Sequence, residues 1–328
     1  MASKRGAHGP PRYQEADLAR VRPIPIATRA NKVDPTLLAH PPGADRSFRA
    51  FLASWPDILA ARELKSVIAA IASAARGGRG IVVLIGGHVV KTGMGPLLLH
   101  LMKRGAVTHL AMNSAASIHD FELCAYGGTS EDVAAGLADG TFGMALETGR
   151  EMNAALLEGR ARGWGMGEAL GRYLLNRGEL PGREHSLLVQ SYELGVPVTV
   201  HAAVGTDIIN QHPDADGAAL GETSFRDFRR LCASVPSLHD GGVVLNLGSA
   251  VIMPEVFLKA LTVARNLGGG KPTHFTAVDM DMLRHYRPRM NVVQRPTLAG
   301  GTGISLTGHH ELMIPLLVWG LEESLALE

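Results

Sequence analysis

Cysteine is scarce in this chain. Its 328 residues hold two, Cys124 and Cys232, which excludes a multi-bridge disulfide framework and leaves no paired C-x-x-C for a thiolate metal centre. Aromatic residues make up 5% and form no regularly spaced stacking set, while the formal net charge is only +1. Neither the basic surface nor the stacking platform of a nucleic-acid binder is present. No apolar run approaches the roughly 20 residues that span a bilayer, and no N-terminal apolar segment precedes a cleavage-like site. The expected setting is a reducing cytoplasm, with no membrane and no nucleic acid as partner. Catalytic signatures are missing too: there is no G-x-G-x-x-G, no H-E-x-x-H and no G-x-S-x-G. Gly87-His88-Val89-Val90-Lys91-Thr92 ends in the Lys-Thr of a phosphate loop but has Val90 where that loop needs glycine.

What the chain does have is apolar residues, 46% of the total, enough for a sizeable α/β core. Ile81 to Ile85 is an uninterrupted β-branched and aliphatic run, as a parallel strand covered on both faces requires. Gly86 and Gly87 break it. A helix follows over 93–104, started by Pro96, then a second strand over 107–112 and a polar turn over 113–117. In open α/β sheets ligands bind beyond the carboxyl ends of strands, so 86–92 and 113–117 are the expected ligand turns. Periodicity adds two helices over 48–75 and a largely helical stretch after Asn113, with helices over 144–160, 166–176 and 186–194. Strands over 196–201, 241–247 and 273–279 alternate with helices over 224–232 and 254–265. The fold class expected is α/β, a doubly wound, mostly parallel, Rossmann-like sheet.

Residues 1–49, rich in Pro, Arg and Ala, read as an N-terminal arm, partly disordered or packed on a neighbouring subunit, and 50–328 as a single α/β domain. Near the other end, Ala299 to Glu311 reads as a glycine- and hydroxyl-rich loop, structural or anion-binding, before a closing helix capped by Thr307 or Gly308. The adjacent His309 and His310 point to opposite sides of any regular element, which argues against a shared metal.

Three segments together, IGGHVVKTGMGPLLLHLMKRGAVTHLAMNSAASIHDFELC, SLLVQSYELGVPVTVHAAVGTDIINQH and GGVVLNLGSAVIMPEVFLKAL, resemble the deoxyhypusine synthase family in order and spacing. The resemblance runs from Ile81 to about Asp281. It implies an NAD-binding α/β fold and a homo-oligomer, tetramer or dimer. The family's S-N-x-x-S-S-G loop falls on Gly87 to Gly93, with His88 in place of asparagine and Thr92 keeping a hydroxyl. Its T-T-A-G-G-V-E-E-D turn falls on Met112 to Asp120, with Ile118 and His119 in place of two glutamates. Its G-D-M-I-F-F-H segment falls on Thr206 to His212 and keeps Asp207 and His212. Implied contacts to NAD are Gly87, His88, Thr92, Gly93, Asn113, Ser114, Ala115, Gly205, Gly248, Ser249 and Asp279. The same alignment puts Met253 where the family has its imine-forming lysine. A thioether forms no Schiff base, so the resemblance implies retained scaffold and changed chemistry, provided that Met253 lines the ligand crevice.

The residues themselves offer His119, Asp207, His212 and Lys91 as catalytic candidates, acid-base groups and an amine placed after strands. For His212 and Asp207 a turn-capping role stands beside the catalytic one. Lys259 reads as a solvated mid-helix side chain. No metal ligand set is assigned. Three functions remain open: an NAD-dependent enzyme acting on an amine or other small polar substrate, a catalytically inactive NAD- or nucleotide-binding regulatory protein, and a metal-assisted hydrolase or lyase.

Overall fold

The computed structural model describes residues 12–326. The chain divides after Leu38 into two compact units. In the first, three single-turn 3-10 helices span Leu18–Arg20, Ile26–Thr28 and Pro35–Leu37, and none contains a buried residue. Asp17 and Asp34 cap the first and third by accepting from the backbone N–H groups of Ala19 and Thr36. The part of the expected arm in residues 1–11 lies outside the described residues.

The second unit opens with α1 (Phe48–Ala53) and α2 (Leu59–Arg76) and enters β1 (Ile81–Ile85). Then come α3 (Gly87–Lys91), α4 (Gly95–Lys103), β2 (His109–Asn113), α5 (Ser114–Tyr126), α6 (Val133–Asp139), α7 (Leu146–Arg162), α8 (Met166–Asn176) and α9 (Leu187–Leu194). β3 (Val198–His201), α10 (Gly217–Ser234), β4 (Val243–Leu247), α11 (Ile252–Leu267) and β5 (Thr276–Asp281) complete the alternation. The chain closes with α12 (Tyr286–Pro288), a π-helical turn (Arg289–Gln294), α13 (Arg295–Thr297), β6 (Thr302–Thr307) and α14 (His310–Leu325). Among the described residues no helix is long and apolar enough to cross a membrane.

All strand pairings are parallel, in the order β3-β2-β1-β4-β5-β6. This is a doubly wound, Rossmann-like sheet. The apolar run of β1 is explained by its place beside β4 at the centre, buried at every position. Ile81, Val83 and Ile85 face one layer with α2 and α4; Val82 and Leu84 face the other with Phe257 of α11. The open side of the edge strand β3, which is buried at every position, is covered by α10, whose Asp227 carboxylate accepts from Val200 N–H and from Gly167 N–H at the start of α8, both at 2.8 Å.

Two expectations need correction. The glycine-rich segment over 299–311 is not a loop: it contains β6 and the start of α14. Its glycines serve close backbone approach, since a Cβ on Gly301 would meet Phe275 O at 2.5 Å and one on Gly303 would meet Val293 O at 2.6 Å. The second correction concerns Met253. It is fully buried in the apolar layer with Val82, Leu84 and Phe257, so it lines no ligand crevice, and the register that equated it with the imine-forming lysine does not hold.

Burial makes the Met253 site testable. Met253→Leu conserves volume and is expected to cost less than about 1.5 kcal/mol. Met253→Lys forces an unpaired ammonium into a dry layer and is expected to lower the urea midpoint far more. Equal midpoints for the two variants would show that the side chain reaches solvent.

Candidate functional site

At the carboxyl edge of the sheet β1 connects outward to β2 on one side, while β4 connects to β5 on the other, so a topological switch point falls between them. The turns after the two strands touch. A Cβ on Gly86 would lie 2.2 Å from Gly248 O, so only glycine lets the backbones approach. Polar side chains gather on either flank of this contact.

On the β2 and β3 flank lies a cavity of about 640 Å³. Its lining includes Lys91 at the end of α3, Ala115, His119 and Glu122 on one face of α5, Thr129 and Glu131 beyond α5, Glu147 and Thr148 at the start of α7, and Asp207 after β3. Glu122 organises the centre, accepting from the Thr129 hydroxyl through Oε2 and from Thr148 Oγ1 at 2.9 Å through Oε1. Thr129 has one hydroxyl proton, which Glu122 takes. The 2.8 Å contact between Thr129 Oγ1 and His119 Nδ1 must then be a bond donated by the imidazole. His119 is thereby held as the Nδ1–H tautomer, with a lone pair on Nε2. Burial, assisted by the nearby Lys91 ammonium, lowers its pKa to about 4, so the ring is neutral near pH 7. Asp207 is raised by burial, against hydrogen bonding from Ala203 N–H and the neighbouring Ser114 hydroxyl. Among the described residues Ser114 Oγ makes no hydrogen bond of good geometry.

On the β4 and β5 flank Asn246 donates to Asp279 Oδ1 at 2.9 Å and to Ser249 O at 3.0 Å. Burial, with Asp281 beside it, raises Asp279 to about 6. His310, at the start of α14, is fully buried, with Nε2 3.8 Å from Asp281 Oδ1 and its ring 5.4 Å from that of His88. Among the described residues neither ring nitrogen makes a hydrogen bond of good geometry, though the Met280 backbone lies close by, and neither does Asn246 Oδ1. A Cβ on Gly248, where φ is +64°, would strike His310 Cε1 at 2.6 Å.

The structure thus brings Lys91, His119, Ala115 and Asp207 to one cavity, with Ser114 beside them. His212 is not among the lining residues. It is buried against α7, its Nε2 donating to Gly143 O at 2.8 Å and its ring occupying the space above Gly149. Residues 113–117 are no open turn: Asn113 ends β2 and caps α5, accepting from Ala116 N–H at 3.0 Å. Likewise Gly87 and His88 start α3. The Thr92 hydroxyl donates to His88 O at 3.0 Å, and Gly93 follows at φ +78°. Gly205 N–H donates to Asn210 Oδ1 at 2.9 Å, in the exposed turn after β3. Lys259 is exposed and paired with Glu255 along α11. Glu122, Thr129, Glu131, Glu147 and Thr148 escaped the sequence reading. Only Glu122 left a local signal, three residues after His119 and hence on the same helical face.

No family model and no curated protein matches the sequence. Similar folds are found among solved structures. A conserved candidate LOR/SDH protein from Methanococcus maripaludis S2 aligns with TM-score 0.51 and 17% identity over 81% of this chain and 71% of that one. AgrE, solved as a ternary complex with ornithine and NAD+, aligns with TM-score 0.51 and 15% identity over 80% of this chain but 33% of its own. A candidate deoxyhypusine synthase from Entamoeba histolytica aligns with TM-score 0.50 and 12% identity over 84% and 92%. At these identities the likeness is one of fold, and the sequence resemblance to deoxyhypusine synthases is met at that level.

The proton inventory around His119 leads to a measurement. By NMR its imidazole is expected to titrate near pH 4, well below the usual 6.5. Lys91→Met removes the like charge and should raise that midpoint, because burial alone then opposes protonation. An unshifted wild-type midpoint near 6.5 would mean that the ring is solvated.

Proposed function

We propose that the chain is an NAD-dependent enzyme that acts on an amine-bearing or similarly polar small molecule in the cavity beside α5. The observation that carries the reading is the oriented, neutral His119 among four lining carboxylates, Glu122, Glu131, Glu147 and Asp207, with a single lysine, Lys91. An excess of acid suits a cationic substrate. Such sets of perturbed groups in one cleft are typical of catalysis.

The residues fit a dinucleotide along the carboxyl edge. Buried polar atoms that lack a well-formed hydrogen bond among the described residues stand on both flanks of the Gly86 turn, Ser114 Oγ on one and Asn246 Oδ1 with the His310 nitrogens on the other. Gly87, His88, Ser114, Gly248, Ser249 and Asp279 would hold it. When bound, NAD supplies a hydride acceptor. His119 Nε2 is placed to receive the proton that a substrate N–H or O–H sheds as its carbon is oxidised. For an alcohol O–H a base of low pKa suffices, because the proton becomes strongly acidic as the C=O bond forms; an amine enters as the neutral –NH2 form, its ammonium proton lost beforehand to solvent, so that hydride can leave its carbon. Glu122 and Thr129 keep the imidazole in the tautomer that can accept, as a carboxylate does for the histidine of a hydrolase triad. Lys91 and Asp207 border the same space and set its charge. AgrE, which shares the fold over a third of its length and holds ornithine and NAD+, is consistent with a basic amine as substrate class.

The inactive-binder reading drew its support from Met253, whose core position removes it. The metal-assisted reading needed His212 beside Asp207, and His212 is committed to Gly143 O.

Calorimetry with NAD, followed by near-ultraviolet detection of reduced nicotinamide with ornithine and short diamines, tests the proposal. The expected result is NAD binding with turnover on at least one amine, and a loss of about 100-fold or more in kcat for His119→Ala with NAD affinity kept. Absence of any NAD binding would overturn the reading. Thr129→Val should lower kcat and leave KM nearly unchanged, since the isosteric valine keeps the shape of the cavity wall and removes only the hydroxyl that fixes the tautomer.

A further inference from the structure

The amino edge of the sheet, opposite the cavity, carries a second cluster. His239 and Asp240 precede β4, and His274 precedes β5. Among the described residues they form the one group of three His, Cys, Asp or Glu side chains whose ligand atoms all lie within 4.8 Å of one another. Asp240 Oδ1 lies 3.2 Å from His274 Nδ1, and Asp240 Oδ2 lies 3.4 Å from His239 Nε2. We propose that His239, Asp240 and His274 bind a divalent transition-metal ion, and that this ion clips the turn before β4 to the turn before β5.

The donor set is the first argument. Two imidazoles and a carboxylate suit Zn2+, Co2+ or Ni2+ and leave positions for water, while lacking the all-oxygen shell of Mg2+ or Ca2+. Spacing is the second. Tetrahedral bonds of about 2.0–2.1 Å put neighbouring ligand atoms about 3.3–3.4 Å apart; the two contacts to Asp240 are close to that, each through a different carboxylate oxygen, so binding through one oxygen needs a rotation of the carboxylate.

The surrounding backbone supplies the third argument. Asp240 and His274 both sit at φ +55°, in the left-handed region that Asp and His adopt more readily than most side-chain-bearing residues, and their side chains meet at 3.2 Å. Gly300 leaves room for the His274 ring, since a Cβ there would come within 2.5 Å of His274 Cδ2. The turns are already cross-linked by Asp240 N–H to Thr273 O at 3.1 Å and Gly241 N–H to His274 O at 2.9 Å. His239 Nδ1 lies 3.3 Å from Thr273 N and 3.2 Å from Thr273 O, so it either accepts from the amide or donates to the carbonyl. When it donates there, Nε2 is left as the ligand atom, the usual outer-shell arrangement of a metal-bound histidine. The rival account is an ion pair of Asp240 with protonated histidines.

The test uses tag-free full-length protein stripped with chelator and titrated with Co2+ and Zn2+. Expected are one saturating Co2+ per chain with visible ligand-field absorption, displacement by Zn2+, and a rise in melting temperature with either ion. His274→Gln and Asp240→Asn should abolish both the spectrum and the rise, while the exposed His309→Ala keeps them. No saturable binding by the stripped wild type, or identical binding by His274→Gln, would overturn the site and leave the ion pair. NAD binding and turnover are read separately, so failure here is distinguishable from failure at the cavity.

Discussion

The contact between the turns after β1 and β4 governs the arrangement at the functional end of the molecule. Because the Gly86 backbone rests against Gly248 O, α3 starts directly from the sheet and ends with Lys91 at the cavity. The same contact leaves Gly248 to pass beneath His310. A side chain at either glycine would push these turns apart and move both polar flanks. The site therefore depends on an absence of atoms at two positions in closely packed turns at the carboxyl edge of the sheet.

Around that contact burial sorts the polar groups by task. Asp120 is fully buried and raised to about 6, yet it is spent on structure, accepting from Ser186 Oγ and from the N–H groups of Leu187 and Leu188 at the start of α9. Asp227 is raised to about 7 and is spent in the same way on α8 and the edge strand. His119 and Asp207 differ because they border open space. A shifted pKa alone does not separate the two kinds; access to the cavity does.

The elements were legible wherever burial imposes a period. β1 and α8 lie where the periodicity puts them, because one is buried on both faces and the other carries a clear apolar stripe. β6 was illegible. Its glycines and hydroxyls read as a loop, and it is a strand only because β5 offers a ladder and the π-helical turn packs closely on Gly303. Met253 shows the opposite error: a family register carried onto a helix start without knowledge of which way the side chain faces. One residue along α11 turns a side chain by about 100°, enough to exchange crevice for core.

The amino-acid order by itself determined the doubly wound class, the positions of β1 to β5 and the polar turns that follow them, since these follow from local periodicity and from glycine after apolar runs. It also placed His119, Asp207 and Lys91 near strand ends. Tertiary structure alone decided that these three share a cavity and that His212 does not line it. It alone set the His119 tautomer, through Thr129 and Glu122, and brought His239 to His274 together with Asp240, which lies 34 residues from His274 in the chain. The reason is physical: hydrogen-bond partnership and charge neighbourhood are set by distances across elements, and no local pattern in the chain encodes them.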